Sequence, residues 1–66
     1  MTKVFVSYVL KDISGITFIK HSIIDDIWPI NTSNDIAILE DKIKSQYDDK
    51  HLWLDSIVFF KNLDNQ

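Results

Sequence analysis

Cysteine and arginine are absent from this 66-residue chain, and glycine and proline each occur once. Without cysteine there is no disulfide or thiolate metal site, so a domain of this size needs a dense apolar core or a second chain for stability. The single glycine, Gly15, excludes a glycine-rich phosphate loop. Arginine is the preferred bidentate reader of guanine and phosphate, so its absence and a net charge of −3 disfavour direct nucleic-acid binding.

Long apolar runs are also missing. No stretch approaches the ~20 apolar residues that a membrane span requires. The opening segment lacks a signal-peptide pattern, because Ser7 interrupts its apolar run and no small-residue cleavage site follows Lys11. We therefore expect one domain over residues 1–66, located in the cytoplasm, with no membrane partner.

The first half of the chain predicts a β-hairpin. Alternating β-formers run from Lys3 to Leu10, and a second such run extends from Ile16 to Ile24. Between them, Gly15 supplies the residue that most easily adopts a positive φ in a turn. A connector follows from Asp25 to Asn31, where Pro29 ends any regular ladder.

A helix is predicted next, because Thr32 and Asp35 have the spacing of a capping box and an acid suits the positive end of the helix dipole. One apolar stripe then recurs at helical spacing: Ile36, Leu39, Ile43 and Tyr47.

A third strand is predicted from His51 to Phe60, and the polar tail, residues 61–66, is expected to fray. Strict alternation divides this strand into a face with Leu52, Leu54, Val58 and Phe60 and a face with Trp53, Ile57 and Phe59. The element order is ββαβ, an α+β fold with one helix on one face of a three-stranded, mainly antiparallel sheet. The simplest strand order is 2-1-3; a parallel crossover beside the second strand is the alternative.

More apolar strand surface is present than one helix can cover, since all three strands carry large apolar groups on both faces. Several side chains of the following set should remain uncovered: Phe5, Val9, Phe18, Ile19, Trp53, Ile57 and Phe59. Either the loop around Trp28 and Ile30 folds under the sheet, or the second face is an interface, homodimeric or with another protein.

Catalytic residues are scarce. No serine has the glycine-flanked turn of a nucleophile elbow, and the possible bases, His21 and His51, lie on different strands. The spacing of the histidines and acids is not typical of a metal site. We expect a protein that is not an enzyme and has no cofactor.

Pairs of adjacent acidic residues are the remaining feature that indicates a function. An acidic surface can guide binding to a basic partner. The predicted partner-binding residues combine two such pairs with the two tryptophans: Asp25, Asp26, Trp28, Asp48, Asp49 and Trp53.

Several segments resemble a loose group of small phage- and prophage-encoded proteins. The matching residues are Phe5-Val6-Ser7-Tyr8, Gly15 with Phe18, Pro29-Ile30 followed by Thr32-Ser33, Asp35-Ile36, and Ser56 to Phe60, with Asn31 as an extra residue before the helix. The resemblance implies an accessory phage product of the counter-defence kind, which inhibits a host defence complex by occluding it, as anti-CRISPR proteins do.

Two other functions fit the same composition. A homo-oligomeric sponge would sequester a nucleotide signal between its subunits, with aromatic rings stacking on the base and Lys3, Lys20 and Lys50 facing the phosphates. A structural accessory subunit is the third possibility. The oligomeric state separates these classes, because a sponge needs a repeated interface.

Overall fold

The computed structural model describes residues 2–47 and 50–63, and its element order is ββαβ. The strands and helix are β1 (Thr2–Asp12), β2 (Thr17–Ile27), α1 (Ser33–Gln46) and β3 (Leu52–Leu63). Both neighbours of β1 run antiparallel to it, and the sheet order is β2-β1-β3. The α+β fold and the 2-1-3 order are therefore confirmed, and the parallel alternative is wrong.

The hairpin turn between β1 and β2 is held by one carboxylate. Gly15 has φ +89°, a conformation that suits a residue without Cβ. The Asp12 carboxylate accepts bonds from the Ser14 hydroxyl (2.6 Å), the Ser14 amide (2.9 Å) and the Ile16 amide (3.0 Å). These bonds, the Ser14 hydroxyl first among them, hold the pKa of Asp12 below its usual value.

The helix begins with the predicted capping box. Thr32 is the N-cap, and its Oγ1 accepts the amide of Asp35 at 3.2 Å. The Asp35 carboxylate accepts the amides of Asn31 (3.0 Å) and Thr32 (3.1 Å), which satisfies donors at the helix start. The pKa of Asp35 is lowered, chiefly because the Asn31 amide donates to the charged form.

The core lies between α1 and one face of the sheet. Ten apolar side chains are buried there: Val4, Val6, Tyr8, Leu10, Ile24, Ile27, Ile30, Leu39, Ile43 and Leu54. Leu39 and Ile43 come from the predicted helical stripe, and Tyr47 packs against the same cluster, whereas Ile36 is 36% exposed. The inward face of β1 is thus its even-numbered residues, and the odd-numbered residues point away from the helix.

Strand β3 departs from strict alternation. Ser7 pairs with Phe59 but Tyr8 pairs with Ile57, and Val9 pairs with Ser56 but Leu10 with Leu54. Val58 and Asp55 are therefore extra residues at two irregularities of the bulge type. The predicted grouping of Val58 with Leu54 and of Ile57 with Trp53 is wrong, because the first extra residue reverses the alternation and the second restores it.

The end of β3 is ordered further than expected. Lys3 pairs with Leu63, and the Asn62 side chain bonds both backbone groups of Ile30: Oδ1 accepts the amide at 2.8 Å and Nδ2 donates to the carbonyl at 3.1 Å. The prediction that the tail frays from Lys61 is wrong for Lys61 to Leu63, because strand pairing and this side-chain clamp hold the segment. Residues 64–66 lie outside the described part.

Strand β2 continues to Ile27, so the predicted strand end at Ile24 is wrong. The end of β2 and the loop after it close the helix side of the sheet, not the opposite side. Ile27 and Ile30 join the core with 2% and 4% exposure. Trp28 points outward and is 65% exposed. The interpretation in which this loop folds under the second face is therefore wrong.

Candidate functional site

The sheet surface opposite α1 is left uncovered by the described residues. It consists of the odd-numbered residues of β1 and the residues paired with them. We call it the outer face and define it by its six large apolar side chains: Phe5, Val9, Ile19, Ile23, Trp53 and Phe59. Several of seven side chains were expected to stay uncovered. Two of the seven, Phe18 and Ile57, lie on the helix side, where Ile57 packs against the core and Phe18 is 37% exposed.

Exposure on the outer face is concentrated on the two flanking strands. Ile19 is 61% exposed, Ile23 56%, Phe59 52% and Trp53 38%. With roughly 150–250 Å² for each large side chain, these four alone leave roughly 400 Å² of apolar surface in water. A patch of this order matches the largest apolar patch of a typical monomer, about 300–600 Å², which is often functional.

An aromatic cluster with one polar pair lies at the centre of the outer face. The Phe5 ring stacks on the His21 imidazole at 6.0 Å and meets Phe59 edge-on at 6.3 Å. His21 Nδ1 lies 2.8 Å from Oγ of Ser7, a residue that is only 8% exposed. The pair fixes the imidazole above Phe5 and gives an otherwise apolar surface one directional polar group.

Lysines flank the outer face. Lys61 pairs with Phe5, Lys11 pairs with Trp53, and Lys3 shares the odd-numbered side of β1. Lys3 also forms an exposed ion pair with Asp25, Nζ to Oδ1 3.6 Å, which contributes little to stability. The apolar centre thus has cations at both ends of the strands, whereas the acids Glu40 and Asp41 belong to the helix on the other side of the sheet.

A recess lies between α1 and the chain from Asp26 to Ile30. Trp28 and Ile38 line it together with Asp26 and Lys42. Asp26 has φ +59° at the irregularity where Thr2 pairs with Ile27 and Val4 with Ile24. Asp tolerates this left-handed conformation better than most residues do, so it suits the extra position. We call this recess the connector cleft.

The four predicted partner-binding residues that the structure describes do not form one surface. Asp25, Asp26 and Trp28 lie near the end of β2 that pairs with Thr2, whereas Trp53 pairs with Lys11 on the outer face. The two ends of β1 are separated by roughly 30 Å at ~3.4 Å per residue. Asp48 and Asp49 lie outside the described residues.

Sequence reasoning missed the Ser7–His21 pair and the place of Ile23 in the patch. Both depend on the β1–β2 register, which pairs Ser7 with His21 and Phe5 with Ile23. The alternation of β2 places His21 and Ile23 on one side, so a sequence signal for their shared face is present.

Within the described residues, neither a metal-binding cluster nor the pair Lys3 and Lys20, which was predicted to face phosphates, is brought together. No group of three or more His, Asp or Glu residues in ranges 2–47 and 50–63 is placed to hold a metal ion. Lys3 lies on the odd-numbered side of β1, whereas Lys20 pairs with Tyr8 and so lies on the helix side. The lysines expected to face phosphates therefore do not share one surface.

Comparison with protein-family models, with curated proteins and with solved structures found no match for this chain. In the part of the chain that the structure describes, no helix has the length and apolar character to cross a membrane.

Proposed function

We propose that this chain is a non-catalytic binding protein that inhibits a partner protein by covering part of its surface with the outer face. The observation that carries the proposal is the contiguous apolar patch, with side chains up to 61% exposed, on a sheet whose other face already has a complete core. Exposed strand residues of this size stabilise the free protein little, so a contact outside the chain accounts for them better than folding does.

The chemistry of the outer face favours a protein as its partner. Aromatic side chains clustered at the centre of a surface are the residues that carry most of the energy in protein interfaces, and Phe5 and Phe59 occupy such positions. Lys11 and Lys61 at the rim favour a complementary surface with an apolar centre and acidic edges.

The proposed target is a host defence complex, and the resemblance of several segments to small phage- and prophage-encoded proteins supports this choice. Occlusion needs surface complementarity and no reacting group. A chain of 66 residues that offers one open sheet face meets that requirement.

An affinity pull-down from a lysate of the bacterial host tests the proposal. The tagged chain is compared with Ile23→Ser combined with Phe59→Ser, and with Trp28→Ser as the matched control for exposed apolar surface away from the outer face. We expect one stoichiometric defence complex with the unaltered chain and with the control, and its loss with the double variant. Capture that survives the double variant but disappears with Trp28→Ser would move the interface to the connector cleft and contradict the proposal.

A nucleotide sponge is the second candidate function. It is favoured by the presence of aromatic rings and two lysines, Lys11 and Lys61, on the same face, since a base can stack on such rings. The purified protein separates the two functions: a copurified ligand that absorbs at 260 nm and leaves on denaturation supports the sponge. An eluate that contains only the protein, without such absorbance, supports neither.

A further inference from the structure

The two edge strands of the sheet differ in regularity. Strand β3 has two irregularities, at Asp55 and Val58, and such bulges protect an edge from pairing with another strand. Strand β2 keeps one unbroken register against β1 from Thr17 to Ile24 and becomes irregular only at Asp25-Asp26. Among the described residues, no strand covers the free edge of β2.

Strand β2 is also exposed on both of its faces. Ile19 and Ile23 are 61% and 56% exposed on the outer face, and Phe18 is 37% exposed on the helix side. Ile24 and Ile27 are its buried residues. A long, regular and apolar edge of this kind is a template for strand addition.

We propose that β2 pairs with β2 of a second copy, antiparallel and about a two-fold axis at His21, to form a continuous six-stranded sheet. In this register Ile19 lies opposite Ile23 of the second copy on the outer side, and Phe18 lies opposite Ile24 on the helix side. The symmetry repeats each apolar pair, so four cross-strand apolar contacts form.

Charge placement selects this register over its neighbours. It sets Lys20 opposite Ser22 and Thr17 opposite Asp25, so no like charges meet. A shift of two residues one way sets Lys20 opposite Lys20 of the second copy, and like charges in direct opposition are destabilising. A shift the other way sets Ile19 opposite Asp25, at the irregular end of the strand. A shift of one residue would set the outer-face residues of one copy opposite the helix-side residues of the other.

Edge pairing does not cover the outer face, and it joins the outer faces of the two copies into one surface. The axis of an antiparallel pair is perpendicular to the sheet, so the outer faces of both copies lie on the same side and meet along Ile19 and Ile23. The proposal does not depend on the identity of any partner protein. It is tested on the purified chain alone, so its failure is distinct from failure of the proposed function.

Single cysteines test the register directly, because the natural chain has none. His21→Cys places two thiols on the axis, where directly opposite Cα atoms lie about 4.5–5.5 Å apart, within the range for a disulfide. Ile19→Cys is the control: its own copy lies roughly four residues, or about 14 Å, along the strand. We expect rapid covalent dimer formation by His21→Cys under mild oxidation, none by Ile19→Cys, and a heterodimer when Ile19→Cys is mixed with Ile23→Cys.

Two results would overturn the register. One is equal cross-linking of His21→Cys and Ile19→Cys, or no cross-linking of either; far-UV circular dichroism of each variant establishes that it is folded. The other is selective cross-linking of Phe59→Cys, which would show that the second copy packs face to face on the outer face.

A charge series at one position provides an independent test. Ser22→Lys opposes Lys20 of the second copy twice in the dimer, and Ser22→Glu attracts it twice. By sedimentation equilibrium we expect the dimer dissociation constant to rise roughly three- to tenfold for Ser22→Lys and to fall by a similar factor for Ser22→Glu, with both shifts reduced at high salt. Shifts of the same sign in the two variants, or a wild-type chain that is monomeric at every concentration, would contradict the proposal.

Discussion

Replacing Ile57 and Val58 one at a time by alanine tests how β3 lies on the core. Ile57 packs partly buried against the core cluster, whereas Val58 is 60% exposed at an irregularity of the strand. Truncation of a fully buried isoleucine costs 2–5 kcal/mol, so the partly buried Ile57 should lose about 2 kcal/mol of unfolding free energy. Val58→Ala should lose less than about 0.5 kcal/mol.

Urea unfolding followed by circular dichroism measures both losses. The two substitutions lower β-propensity alike, and the extra methylene of isoleucine accounts for at most about 0.8 kcal/mol. Any further difference between the two losses of unfolding free energy reports the deeper burial of Ile57. In a domain of this size the gap corresponds to roughly 5–10 °C in Tm. A larger loss for Val58→Ala than for Ile57→Ala would mean that β3 alternates strictly and would refute the two bulges.

The remaining predictions concern three hydrogen-bonded contacts: the Tyr8–Tyr47 hydroxyl pair, the N-cap of α1 and the bonds between Asn62 and Ile30. Tyr47→Phe should cost about 1–3 kcal/mol in urea unfolding, because it leaves the hydroxyl of Tyr8, a residue 1% exposed, without its 2.9 Å partner. The same hydroxyl pair raises the pKa of Tyr47 to about 12, so its contribution to stability is complete below pH 10 and disappears as the pH rises through 12; a flat stability profile in that window would contradict it. Thr32→Ala should cost about 1 kcal/mol in thermal unfolding, and Thr32→Ser should cost much less. Asn62→Ala should cost about 1–2 kcal/mol and speed amide exchange at Ile30; unchanged exchange there would exclude the clamp.

Local signals in the sequence predicted much of the fold. Thr32 and Asp35 predicted the helix start because a capping box depends on residues three positions apart. Gly15 predicted the turn because its positive φ is a local requirement. The antiparallel order with β1 in the centre was predicted as the simplest topology for a ββαβ chain.

The errors concern features that strand pairing decides. Alternation assigns Ile57 and Val58 correctly only if no residue is inserted, and a bulge depends on the partner strand. The pairing of Lys61 to Leu63 and the clamp of Asn62 on Ile30 are contacts between distant parts of the chain, so the polar composition of the tail predicted the wrong state.

The candidate site was partly predictable for the same reason. Apolar residues on both faces of every strand indicated that one face would stay open, and the exposure of Ile19 and Phe59 confirms this. Which residues share that face depends on the register of three strands. The sequence correctly predicted Trp53 among the uncovered side chains, but it could not show that Phe18 and Ile57 lie on the helix side.

The most direct test of the outer face as the binding surface is isoleucine methyl NMR during titration with the captured partner. Isoleucines report on each surface separately: Ile19 and Ile23 on the outer face, Ile38 in the connector cleft, and Ile43 in the core. We predict large shifts or broadening at Ile19 and Ile23, with Ile38 and Ile43 nearly unchanged. Perturbation centred on Ile38, with Ile19 and Ile23 unaffected, would contradict the account.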